Sequence, residues 1–101
     1  MAPTVRSDPN SFRYELAVDG EVAGFAEYRM TEDRYVFTHT EVEDGHEGEG
    51  LGSLLVKEAL DDVRARGGQI VPVCPFVTAY IERHQEYADL VDKELTARLV
   101  L

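Results

Sequence analysis

Three groups of residues in this 101-residue chain have types and spacings suited to chemistry. The run from residue 41 to 50, Glu-Val-Glu-Asp-Gly-His-Glu-Gly-Glu-Gly, is acidic and glycine-rich, and Gly52 extends it. Glycines at Gly45, Gly48, Gly50 and Gly52, just ahead of a helix, let the backbone approach a ligand closely. The unpaired amides and the helix dipole there favour an anion such as a pyrophosphate. The plainer alternative is an ordinary turn with a glycine-rich helix start. Upstream, His39 and Glu41 stand two residues apart near the end of a strand. Histidine ionises near neutrality and can act as a base; it can equally be a strand residue satisfied by a neighbour. Glu41 could orient or replace it, attract a cation, or simply be solvated. Cys74 is the only cysteine. Its thiol is either a nucleophile or a small buried hydrophobe, and with no partner for an internal disulfide it favours a reducing compartment.

Spacing narrows the choice of anion. A nucleotide P-loop needs Gly-Lys-Ser/Thr, and no lysine occurs before Lys57. A dinucleotide fingerprint needs a third glycine where Ser53 stands and an acidic residue at the end of the next strand, where the sequence has Cys74-Pro75. Neither pattern fits.

The elements that must hold these residues follow from periodicity. Phe12, Tyr14, Leu16 and Val18 alternate as in a half-buried strand. Asp19-Gly20 predicts a tight hairpin turn into a second strand from about Glu21 to Met30. Thr31-Glu32-Asp33 turns the chain into a third, Arg34 to about Val42, on which Tyr35, Phe37, His39 and Glu41 would share one face. After the glycines the period becomes helical. Leu51, Leu54, Leu55, Ala59 and Val63, flanked by Val56 and Leu60, form an apolar stripe opposite Lys57, Glu58, Asp61, Asp62 and Arg64. Gly67-Gly68 ends that helix. Gln69 to Cys74 reads as a short buried strand stopped by Pro75. A second helix runs to about His84 with Phe76, Tyr80 and Val77 as candidates to face inward. Tyr87 to Val91 reads as a weak last strand, and residues 1–9 as a flexible lead to a single domain over 10–101. Crossing from the third strand through the helix to the fourth makes those two strands parallel. The fold class is α+β, a mixed sheet in which an antiparallel meander is followed by β-α-β-α.

Composition excludes several classes. Ten Lys+Arg against twenty Asp+Glu give a net charge of −10, a field of the wrong sign for nucleic acid or an anionic membrane. The chain is too short for a Rossmann enzyme, a TIM barrel or a protein kinase. The start has no apolar segment of signal-peptide length, and the longest apolar stretch, Ile70 to Val77, carries two prolines and cannot span a bilayer. A cytoplasmic protein is the expectation.

Glu47-Gly48-Glu49-Gly50-Leu51-Gly52 resembles the Gln/Arg-x-x-Gly-x-Gly/Ala signature of the GNAT acetyltransferase superfamily, with Glu47 in place of the usual Gln or Arg. His39-Thr40-Glu41-Val42, Leu54-Leu55-Val56, Val71-Pro72-Val73-Cys74-Pro75-Phe76-Val77, Tyr80-Ile81-Glu82-Arg83-His84 and Glu86-Tyr87-Ala88-Asp89-Leu90-Val91 come in the order seen in very short, single-domain GNAT-like proteins. The resemblance covers roughly residues 10 to 91. It implies an acetyl-CoA-dependent N-acetyltransferase with an amine acceptor, and a compact GNAT fold. Gly48, Glu49, Gly50, Leu51, Gly52 and Ser53 would hold the pyrophosphate, and the strand ending at Val42 would pair with the pantetheine arm. The strand ending at Cys74 would splay away and leave a notch for the thioester. The resemblance also implies that His39 and Cys74 are the active-site pair, beside which Glu41 would stand. Arg83 and His84 offer positive charge for the far-end cofactor phosphates, or simply form a solvated helix end. Many larger relatives take their acid from a tyrosine where Ile81 stands here, leaving Tyr80 and Tyr87 as substitutes. Asp19-Gly20 joins the first two strands directly, so the helices that shape the acceptor side in larger relatives are missing. The acidic field would then draw in a cationic amine. Two other functions stay open: a non-catalytic acyl-CoA-binding module, and an interaction protein whose acidic loop recognises a basic partner.

Overall fold

The computed structural model describes residues 3–43 and 50–100. Strands β1 (Thr4–Asp8), β2 (Arg13–Val18), β3 (Glu21–Thr31), β4 (Arg34–Val42) and β5 (Gln69–Pro72) lie side by side in chain order. The first four are antiparallel, and β4 and β5 are parallel across helix α1 (Leu51–Ala65). Helix α2 (Pro75–Arg83), a 3₁₀ helix (Gln85–Leu90) and helix α3 (Lys93–Val100) complete the order. This is the mixed α+β sheet that the periodicities predict. Among the described residues no helix is long and apolar enough to cross a membrane.

The apolar stripe of α1 forms the core. Leu51, Leu55, Val56, Ala59, Leu60 and Val63 are buried against Tyr14, Leu16, Ala26, Tyr28 and Phe37 on one face of the sheet. Each large side chain so buried contributes roughly 1.5–3 kcal/mol. Asp61 and Asp62, expected on the solvated face, are half-buried instead. Asp61 accepts the Tyr87 hydroxyl and Asp62 the Tyr14 hydroxyl, both at 2.7 Å. A second, smaller cluster lies on the other face, where Leu95 of α3 covers Val36 and Val71.

Asp19 and Gly20 close the β2–β3 hairpin with φ of 53° and 83°, as their sequence predicts. Elsewhere tertiary contacts override local pattern. Strand β1 occupies the lead expected to be flexible, pairing Thr4 to Ala17 through Asp8 to Arg13. Its hold comes from Arg6 on Glu15 and from Val5 against the core. Phe12, expected as the first inward residue of β2, sits in the preceding turn at φ 54° and is 50% exposed. Strand β5 ends at Pro72 rather than Cys74. Phe76, an expected core residue of α2, points outward at 40% exposure, while Val77, Tyr80 and Ile81 are buried. Tyr87 to Val91 is not a strand. The segment winds into the 3₁₀ helix, which buries Tyr87 and Leu90 and carries Arg64 bonds to Asp89 and the Glu86 carbonyl, and only one bridge, Ile70 to Val91, remains among the described residues.

Candidate active site

Strands β4 and β5 part company at Phe37. Their ladder runs from Arg34–Gln69 to Phe37–Pro72. There the Phe37 carbonyl accepts the amides of both Val73 and Cys74, at 3.0 and 2.8 Å. Pro72 and Pro75 have no N–H to carry the ladder on, and Cys74 turns instead into the start of α2. From Thr38 to Val42, β4 therefore pairs only with β3 among the described residues. Among the described residues its other edge has no strand partner, the condition for adding an extended ligand to a sheet.

The start of α1 borders this notch. Gly50 precedes the helix at φ 74°, a conformation cheap only for glycine, and its carbonyl accepts the Leu54 amide at 3.0 Å. No side chain caps the helix and no acidic residue occupies its first turn. The amides of Leu51, Gly52 and Ser53 are the orphan donors every helix start carries. A Cβ on Gly52 would lie 2.7 Å from the Phe76 ring, so glycine there lets the starts of α1 and α2 come together. Gly48 and Glu49 lie outside the described residues.

At the end of the ladder Cys74 is 4% exposed, and its thiol donates to the Thr40 hydroxyl at 3.5 Å. His39 is directed elsewhere. The β3–β4 register passes from Glu27–His39 to Tyr28–Phe37, making Thr38 an extra residue on β4. Such a bulge reverses the facing of the residues beyond it. Thr40 joins the core face with Ala26. His39 and Glu41 project from the opposite face, where the His39 ring meets Phe25 at 5.9 Å and its Nε2 lies 3.7 Å from Glu41. The expectation that His39 shares a face with Phe37 is thus corrected. His39 and Glu41 come together, Cys74 and Thr40 come together, and the two pairs flank β4 from opposite sides. Thr40 carries no signal of its own in the sequence, because its partner lies 34 residues away.

Arg83 and His84 lie at the far end of α2 from Cys74, about 13 Å along a nine-residue helix. Arg83 is exposed and has no ion-pair partner among the described residues. His84 stacks on Tyr80 at 4.1 Å, with Nδ1 3.9 Å from Glu86. Burial pushes the Tyr80 hydroxyl above its ordinary pKa, and burial with the Asp61 hydrogen bond does so more strongly for Tyr87. The Tyr87 hydroxyl is committed to Asp61.

One recess adjoins the site and another lies away from it. One of about 220 Å³, lined by Arg13, Val22, Gly24, Phe25, Glu41 and Glu43, opens on the His39 face. A roomier one of about 300 Å³ lies between β1 and α1, lined by Val5, Ser7, Tyr14, Glu58, Asp61 and Asp62. It is remote from the notch, and its Tyr14 and Asp62 are bonded to each other.

Known proteins are similar to this chain in sequence and in fold. A sequence profile of the GCN5-related N-acetyltransferases matches residues 13–90. The streptothricin acetyltransferase of Streptomyces lavendulae is 39% identical over 54 residues, 52% of this chain and 29% of that protein. The chain thus spans less than a third of that relative's length. The solution structure of a GCN5-like protein from Staphylococcus aureus superposes with a TM-score of 0.67 at 20% identity, covering 87% of this chain and 86% of its own. The ribosomal-protein-S18-alanine N-acetyltransferase from Escherichia coli superposes with a TM-score of 0.62, also at 20% identity, over 76% of this chain and 53% of its own. These structural likenesses establish the fold, and with the profile match over most of its length the chain belongs to the GCN5-related N-acetyltransferase family.

Proposed function

We propose that this protein transfers an acetyl group from acetyl-CoA to an amine. The observation that carries this reading is the unpaired β4 edge, Thr38 to Val42, opening between Cys74 and the uncapped start of α1. The edge fits an extended pantetheine arm with Val42 at its outer end. The Leu51, Gly52 and Ser53 amides, with Gly50 and the sequence-predicted Gly48 and Glu49, fit a pyrophosphate. Acetyl-CoA, when bound, supplies the acetyl thioester. Cys74 and Thr40 form the floor of the notch, and a buried thiol held by a hydroxyl there bounds the reacting carbonyl. Arg83, exposed and without an ion-pair partner among the described residues, and His84 offer positive charge for the far-end phosphates of the cofactor.

On the opposite face His39 takes the proton from the incoming amine, with Glu41 beside it to stabilise the imidazolium. The adjoining recess is lined by Glu41 and Glu43 together with Arg13 and Phe25; with Arg13 already bonded to Glu15, the two carboxylates suit a cationic amine entering from that face. The single free thiol agrees with work in a reducing, cytoplasmic setting.

A non-catalytic acyl-CoA-binding module is the second reading. One observation favours it: the Tyr87 hydroxyl is committed to Asp61, and Tyr80 is buried beneath His84, so neither is poised to protonate a leaving thiolate.

Acetyl-CoA at concentrations well above micromolar should raise the melting temperature of the protein, as any ligand of the native state does. No shift would defeat both readings. A thiol-release assay across a panel of amines then separates enzyme from binder: release above the amine-free rate supports transfer, and none with any amine supports the binding module.

A further inference from the structure

A lattice of side chains crosses the sheet face that α1 leaves uncovered, and it ends at His39. The registers place Asp8, Arg13, Glu27 and His39 in one row across β1 to β4, and Arg6, Glu15, Phe25 and Glu41 in the next. Glu15 is its anchor. Although on an open face it is only 5% exposed, and it receives two N–H bonds from Arg6, at 3.2 and 2.9 Å, and two from Arg13, at 3.0 and 2.8 Å. Arg13, fixed by Glu15, places its guanidinium carbon 4.8 Å from the centre of the Phe25 ring. Phe25 in turn meets the His39 ring at 5.9 Å with 57° between planes, within the range of a favourable tilted aromatic pair.

We propose that Phe25 is a positioning residue for His39, held in place by Arg13 and Glu15. This rests on the reading of His39 as the base. An exposed histidine on a strand is free to turn about both side-chain torsions, and misplacing a catalytic group by about 1 Å can cost 10²-fold in rate. Phe25 and Glu41, register partners of each other, lie together beside the imidazole, the ring at 5.9 Å and the carboxylate 3.7 Å from the His39 Nε2. Glu27, its register partner on β3, is the second acid beside it. Without Arg13 stacked on it, the half-buried Phe25 ring would itself be loose. Doubly bonded guanidinium, aromatic ring and imidazole thus form a chain in which each member limits the motion of the next.

The test combines NMR of the His39 ring protons with kinetics of Phe25→Leu, Phe25→Tyr, Arg13→Gln and His39→Ala. Phe25→Leu should move the His39 resonances from their ring-current-shifted positions toward those of a free histidine. It should also lower kcat about tenfold, inside the range that misplacement allows, alter the pH profile of kcat, and leave KM for acetyl-CoA unchanged. Phe25→Tyr should keep both resonances and rate. Arg13→Gln, which retains the ring, should move the resonances partway and lower kcat less. Unmoved resonances in Phe25→Leu would overturn the proposal whatever the rates. Moved resonances with an unchanged kcat, alongside an impaired His39→Ala, would overturn it as well. Full activity in His39→Ala would instead overturn the base assignment, and with it the catalytic purpose of the lattice.

Discussion

The Cys74 thiol lies 3.5 Å from the Thr40 hydroxyl, while His39, one residue earlier on the same strand, faces the other side of the sheet. One strand thus serves two surfaces. A cofactor lying along its free edge would touch the thiol from the core side, and an acceptor would meet the imidazole from the open side.

That burial predicts the reactivity of the thiol. Iodoacetamide should label Cys74 slowly in the native protein and quickly in denaturant, and acetyl-CoA should slow native labelling further. Mass spectrometry reads the adduct. Native labelling as fast as denatured labelling would show that the thiol does not sit in the floor of the notch.

Gly52 should tolerate no added bulk. A valine there drives its Cβ into the Phe76 ring, 2.7 Å away, and overpacking of this kind costs about 1–3 kcal/mol. Either the Phe76 ring or the start of α1 must then shift beside the notch, and the dissociation constant for CoA should rise. Combining Gly52→Val with Phe76→Ala should recover most of the loss. Calorimetric titration of the single and double variants checks this, and simple additivity would contradict it.

Glu15 predicts an acid limb in stability. Hydrogen bonds from Arg6 and then Arg13 hold its carboxyl below the ordinary glutamate range. Its contribution is complete at neutral pH. It is lost as pH falls below ~4.3, the ordinary glutamate value, toward the lower folded one. Glu15→Gln should cost about 1–3 kcal/mol at pH 7, as for a lost charged hydrogen-bond set. It should also flatten the fall in stability below pH ~4.3. Urea unfolding at a series of pH values measures both, and parallel curves for wild type and variant would refute the assignment.

Two hydrophobic residues should respond very differently to truncation. Leu55 is fully buried under the sheet, and its replacement by alanine should cost about 2–5 kcal/mol. Phe12, half exposed in its turn, should cost under about 1 kcal/mol when truncated, as surface changes do. Chemical denaturation of both variants decides the order.

The sequence by itself determined the elements whose pattern is local. Alternation in Tyr14 and Leu16, Asp19-Gly20 at a turn, the stripe from Leu51 to Val63 and the glycines at its ends each act within a few residues, so the meander, α1 and the parallel crossover could all be read directly. Phe76 misled because apolar character does not say which side of a short helix is covered; its ring instead packs over Gly52 at the notch. Tertiary structure alone decided where the chemical groups point. Side-chain facing on a strand depends on accumulated register, and one extra residue reverses it. Thr38 is that residue, and nothing in Phe-Thr-His-Thr marks it as a bulge; only pairing with Glu27 and Tyr28 does. The same holds for β1, held by its ladder to β2, and for the 3₁₀ helix, held by buried Tyr87 and Leu90. The residue types in the site were therefore legible in one dimension, and their division between the two faces of β4 was created by strand pairing.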